Sequence, residues 1–223
     1  MTIEKGQVWG QPAPDLTPEA TLDGDAAVAE LVDAAVRAGR RPVVSMTGGD
    51  LLATLGLDGP RPPADRHAYP VDLVRVRLDP DGPPDGSGEI ERPDADGLRP
   101  FVAHLTGRVP DRVGPLIGHG PPIVVAAMNA AWLGPYRLGP RAHPNDGVVD
   151  IIEGRVPFTQ RREAANRARS GSHLPHPALA VARRRHWFGR FDRAVTIHLD
   201  GVEVRRVRSL ALTVVPDAWI ALV

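Results

Sequence analysis

The stretch PVVSMTGGDLLATLGL, residues 42–57, runs from an apolar, β-branched segment through two glycines and an aspartate into a second apolar segment. Residues 42–46 have the composition of a short buried strand, and residues 51 to about 55 that of a helix. Thr47, Gly48, Gly49 and Asp50 form the turn between them. A glycine turn that opens a helix offers backbone N–H groups and the positive end of a helix dipole to an anion. Asp50 also suits a simple helix cap, so the same turn reads as a connector. Upstream, Asp23 or Asp25 can cap a helix in which Val28, Leu31, Val32, Ala35 and Val36 fall at helical spacing and which Gly39 ends. Helix, strand, glycine turn and helix make a fragment of an α/β layer.

Downstream the pattern turns to strands. Residues 71–78 alternate as a strand, and residues 79–100 form a long polar loop. Its aspartates suggest an EF-hand, but prolines stand where that loop needs glycine and a ligand, and no glutamate closes it. From Phe101 onward the segments PPIVVAAMNAAWLG, GVVDII and VTIHLDGVEV read as strands, the last as a hairpin turning at Asp200-Gly201. LALTVVPDAWIALV reads as two further strands around a Pro-Asp turn, and one helix covers about residues 159–169. The fold class expected is a remnant α/β layer plus a larger, mainly antiparallel β-sandwich or barrel-like domain. The boundary falls near residue 70, so 1–70 form the α/β region and 71–223 the β domain, with the last strand free to return to the α/β layer.

Composition excludes several functions. The chain has 223 residues, enough for a substantial core, and no cysteine, so neither disulfides nor thiolate metal sites are available. Lysine plus arginine number 27 and balance 27 acids, which selects no nucleic acid or other polyanion. Lys5 is the one lysine, which fits a GC-rich genome and excludes both a Schiff-base lysine and a Walker P-loop. No run of about eighteen apolar residues and no signal peptide is present, so a cytoplasmic location without a transmembrane segment is expected.

Several segments, in order, resemble the diacylglycerol kinase and sphingosine kinase family of lipid kinases. VVAAMNAAWLGPYRLGPRAHPNDGVVDII resembles that family's strand ending in Asn and leading to a Pro-x-Ala-x-x-x-Asp-Gly-x-x-Asp segment, with Pro140, Ala142, Asp146, Gly147 and Asp150 in place. SGSHLPHPALAV is similar to its Gly-x-His-x-x-His-Pro segment and VTIHLDGVEV to its Leu-Asp-Gly-Glu hairpin, although Val202 replaces the glutamate and Glu203 stands one place late. TGGDLLATLGL resembles its Gly-Thr-Gly-Asn-Asp loop, and residues 70–73 the Val-Asp-Leu that follows. LDGDAAVAELV stands at the Gly-Gly-Asp-Gly-Thr nucleotide signature in eroded form, and the chain reads as a short, N-terminally truncated member.

The resemblance implies the broader lipid kinase and NAD kinase architecture and an ATP- and Mg²⁺-dependent phosphoryl transfer to a lipid or related small alcohol. It implies Asp200 as the acid at the cleft and nucleotide contacts at Gly24, Asp25, Thr47, Gly48, Gly49 and Asp50. Asp146 and Asp150 would help to hold Mg²⁺, a hard cation that takes oxygen ligands. Plainer readings exist for each: Asp-Gly is an ordinary hairpin turn, and Asp146 and Asp150 a turn residue and an exposed strand residue. His173 and His176 have zinc-like spacing without a third ligand. Arg183, Arg184 and Arg185 beside Trp187 and Phe188 could touch anionic headgroups in a peripheral membrane contact, or form a solvated edge. The alternative to a kinase is a catalytically degenerate relative acting as a binding or assembly module, where a homodimer would cover exposed edges.

Overall fold

The first helix, α1 (Asp25–Arg37), shows how the N-terminal third is attached. Its Val28, Ala29, Val32 and Ala35 are buried on one side, and each fully buried valine contributes about 1.5–3 kcal/mol of apolar burial. Gly24, at φ 79°, turns the chain into the helix. The computed structural model describes residues 9–57, 62–80, 97–109 and 122–223. Within them, α1 is preceded by β1 (Gln11–Pro12) and β2 (Ala20–Leu22) and followed by β3 (Val43–Met46), α2 (Asp50–Thr54) and β4 (His67–Leu78). Then come β5 (Leu98–Phe101), β6 (His104–Arg108), β7 (Ile123–Met128), β8 (Val149–Gly154), α3 (Arg161–Ala168), β9 (Leu179–Arg184), β10 (His186–Leu199) and β11 (Val202–Leu222).

The fold is mainly an antiparallel sheet with few helices. All the strands belong to one hydrogen-bonded network whose main path runs β1-β4-β11-β10-β6-β7-β8-β9. β3 is the exception in direction: it lies parallel to β2 and to the end of β11, with Ile220 opposite Val43. Its residues Val44, Ser45 and Met46 are buried, as an apolar run flanked on both sides requires. One core gathers α1, β3 and α2 with Val71, Leu73, Val102, Ala103 and the C-terminal Trp219, Ala221 and Val223. A second gathers apolar side chains of β4, β6, β8, β10 and β11. The buried Arg75–Asp33 pair, 2.7 Å, fastens α1 to β4.

Two local expectations change. Residues 210–223 are not two strands around a turn: β11 is continuous for 21 residues, and Pro216-Asp217 forms a bulge in its pairing with β4. Asp217 adopts φ 49° and donates its N–H to Asp72 Oδ1 at 2.9 Å, so a buried acid holds the irregularity in place. The helix near residue 160 is shorter than expected, a 3₁₀ turn at Phe158–Gln160 leading into α3. Most of the polar loop with EF-hand-like aspartates lies outside the described residues. No helix is long and apolar enough to cross a membrane among the described residues.

Candidate functional site

The glycine turn before α2 and the hairpin at Asp200 meet at one side chain that the sequence did not single out. His104, at the start of β6, places Nε2 2.7 Å from Asp50 Oδ2. Its backbone N–H donates to Asp200 Oδ1 at 2.9 Å. Asp200 also accepts the N–H groups of Val102 and Ala103, both at 2.9 Å, so both its oxygens are committed. Asp200 stands at φ 46° and Gly201 at φ 83°, the paired positive angles of a tight hairpin turn. The aspartate thus turns the β10-β11 hairpin and fixes the segment that carries His104.

Asp50 is held from the other side by the Gly134 N–H, 2.9 Å from Oδ1. Thr54 Oγ1 accepts from Ala131 N at 2.9 Å, which ties α2 to the same loop. Asp25, 6% exposed, accepts the N–H groups of Asp50 at 2.6 Å and Leu51 at 3.3 Å. Its carboxylate therefore sits where an anion would dock on the start of α2. Gly49 has φ 111°, and a Cβ there would stand 2.4 Å from Asp25 Oδ1; one on Gly48 would stand 2.6 Å from Asp23 Oδ1. Thr47 Oγ1 donates to that same Asp23 carboxylate at 3.2 Å. The glycines admit carboxylates of the chain itself.

Charge follows from this crowding. Burial, and then the Asp200 charge, push the Asp25 carboxyl up to about 7 against the Asp50 and Leu51 amides and His104. Burial also raises Asp200, opposed by His104 and the three amides. For His104, burial would lower the pKa, but the Asp50 hydrogen bond and the charges of Asp200, Asp50 and Asp25 outweigh it and raise it. Burial acts upward on Asp50, yet the His104 bond and charge and the Gly134 amide hold it below the ordinary value. The result is a His104–Asp50 pair in which each partner favours the charged form of the other, beside two buried acids whose carboxyls burial pushes upward.

Asp146 and Asp150 lie in a second cluster. Arg183 on β9 ion-pairs with Asp146 and places Nε 3.3 Å from Asp150 Oδ1, so its guanidinium bridges the two acids. Burial raises both carboxyls, and Arg183 opposes it. Nearby, the buried Asp72 accepts from Gly147 N at 2.8 Å and from Asp217 N, and burial lifts its carboxyl to about 6. Asn129 Nδ2, 2.7 Å from Val102 O and 3.5 Å from Asp72 O, links the two regions. His173 is buried and His176 Nδ1 accepts from Ala178 N. Among the described residues no three His, Asp or Glu side chains converge as a metal site.

Neither implied group fits the side chains as they stand. The amides that would take a nucleotide phosphate at α2 hold Asp25, and the pair implied for Mg²⁺ holds Arg183.

No family model and no curated protein matches the sequence. Solved structures do. A candidate diacylglycerol kinase from Bacillus anthracis str. Sterne superposes over 90% of this chain and 76% of its own at TM-score 0.61 and 14% identity. A second structure so described, from the same strain, covers 91% and 76% at TM-score 0.59 and 12% identity. A structure described as a diacylglycerol kinase from that strain covers 90% and 74% at 0.53 and 13%. The chain has a diacylglycerol kinase-like fold. In this chain residues 22–25 and the glycine turn at 47–50 pack against each other through Asp25, and Asp200 meets them through His104.

Proposed function

We propose that this chain is a diacylglycerol kinase-like protein that binds a ligand in its crevice without transferring phosphate, the degenerate form of the fold. One observation carries the reading: the groups that phosphoryl transfer would use are engaged with one another. Asp25 occupies the α2 amides, Asp50 is paired with His104, and Asp200 is spent on three backbone N–H groups. Transfer needs phosphate-holding donors, a cation to offset charge and an acid free to orient the alcohol.

A second reading, ATP- and Mg²⁺-dependent phosphorylation of a lipid or related alcohol, is favoured by the meeting of Asp50, His104 and Asp200 in one cluster. Incubation with Mg-ATP and diacylglycerol or glycerol, read as labelled product, separates the two. The degenerate reading expects no turnover and no rise in Tm with Mg-ATP, since only a ligand of the folded state raises it. Turnover abolished by Asp50→Asn in a folded protein would overturn it in favour of the second.

A further inference from the structure

Two large apolar side chains are exposed among the described residues, Phe158 at 57% and Val202 at 55%. Val202 stands beside Glu203 at the start of β11, whereas Phe158 stands among cations. Between residues 155 and 170 the chain has five arginines and one acid, Glu163, although over its whole length 27 bases balance 27 acids. α3 sets this charge outward. Ala164 and Ala165 are half-buried and Ala168 is buried, which marks the inner side of the helix. Arg162, Asn166 and Arg169 follow at i, i+4 and i+7 along the outer side, Arg167 lies next to them, and all four are exposed. The turn leading into the helix ends in the apolar run Val156-Pro157-Phe158. Arg161 donates Nε–H to Val156 O at 3.2 Å and lies 5.5 Å from the centre of the Phe158 ring, so it steadies that tip.

Exposed guanidinium groups beside an outward aromatic ring complement an anionic bilayer. The planar fork of arginine suits lipid phosphates, its stem lies along apolar surface, and the ring gains by leaving water for the headgroup region. Nucleic acid is the poorer match, because single strands bind by stacking bases on open aromatic faces. The Phe158 ring already carries Arg161, and the Tyr136 ring carries Arg169 at 5.6 Å. The other basic run, residues 183–185, lacks an exposed large apolar side chain: Arg183 bridges Asp146 and Asp150, and Trp187 packs against the second core. α3 is also tied to the site. The Arg137 N–H donates to Ala168 O at 2.8 Å, in the loop whose Gly134 N–H holds Asp50.

We infer that α3 and the turn leading into it dock on the surface of an anionic lipid bilayer, with Phe158 at headgroup level and Arg162, Arg167 and Arg169 on lipid phosphates. The inference goes beyond the reading of the crevice and does not rest on it. Flotation of the full chain with vesicles of phosphatidylcholine, alone or mixed with phosphatidylglycerol, tests it at low and high salt. Binding to the mixed vesicles alone is expected, and salt should release it. Arg162→Gln combined with Arg167→Gln should weaken binding roughly 25-fold, about fivefold for each charge. Phe158→Ser should weaken it roughly tenfold. All three positions are exposed, and circular dichroism checks that the variants fold. Arg184→Gln combined with Arg185→Gln removes the same charge elsewhere and should leave binding within about twofold. No binding to mixed vesicles, equal binding to phosphatidylcholine, an undiminished arginine pair variant, an equal loss in the control pair, or preferential capture of an RNA oligonucleotide would each overturn the inference. Failure of the proposed function shows separately, as turnover with Mg-ATP.

Discussion

Replacing Asp25 with asparagine asks whether burial or hydrogen bonding governs the acid under the glycine turn. Burial lifts the carboxyl from 3.8 to about 7 despite the two amides it accepts. A folded pKa above the unfolded one means that the folded state binds the proton more tightly. The stability it contributes is complete below pH 3.8 and is lost as the pH rises through about 7. A displacement of that size corresponds to as much as ~4 kcal/mol between pH 4 and pH 8. Asparagine has nearly the same shape and cannot ionise. At pH 4.5 it should cost about 1 kcal/mol, because its NH₂ faces an amide where an oxygen stood.

At pH 8 the order should reverse, with Asp25→Asn the more stable protein by up to ~3 kcal/mol. Urea unfolding at half-unit intervals from pH 4.5 to 8.5, wild type against variant, gives the difference directly. Asp72, also raised by burial, to about 6, contributes its own slope to both proteins and cancels in the comparison. If the difference is constant with pH, Asp25 does not titrate abnormally. If asparagine costs more at high pH, the two amides and His104 dominate, and the account of the turn given above is wrong in sign.

Two further substitutions probe the same geometry. Gly49→Ala puts a Cβ 2.4 Å from Asp25 Oδ1 at φ 111° and should cost ~2–4 kcal/mol in urea unfolding, through strain and a displaced cap. Gly39→Ala, at φ 71° with nothing within 4 Å, should cost about 1 kcal/mol, and equal costs would remove the steric argument. Arg183→Gln leaves Asp146 and Asp150 facing each other and should lower stability by about 1 kcal/mol at pH 7, the pair being 46% exposed on the arginine side. Millimolar Mg²⁺ should raise Tm in this variant and not in wild type; an unmoved Tm in the variant means that the two acids do not form a site for a hard cation.

The parts of the fold legible in the sequence were those set by local chemistry. Helical spacing from Val28 to Val36, the glycine turn, and Asp200-Gly201 between alternating strands each depend on neighbours within a few residues. The site depended on partners far apart in the chain. His104 meets an aspartate 54 positions away through its ring and one 96 positions away through its N–H. The signal was a lone histidine in the apolar run FVAHLTG, a residue that must find a polar partner wherever it is buried. Arg183 was one of three consecutive arginines, and nothing in the run marks which one faces Asp146 and Asp150. Pro216-Asp217 has the composition of a turn. It bends a continuous strand because Asp72, from another strand, receives the Asp217 N–H.

The glycine turn shows why a motif can be read correctly in place and left open in meaning. A phosphate and a carboxylate ask the same of a helix start: free N–H groups, a favourable dipole and no Cβ in the way. Gly48 and Gly49 satisfy that request whichever anion arrives. What differs is the source of the anion, and the loop LDGD lies directly beneath the turn because β2 pairs with β3, Leu22 opposite Met46. That register carries Asp23 to Gly48 and Asp25 to the amides of Asp50 and Leu51. An external phosphate would have to displace an internal carboxylate already held by two N–H groups. The same burial that makes Asp25 costly to ionise would also make a doubly charged phosphate costly there, with Asp50 and Asp200 close by.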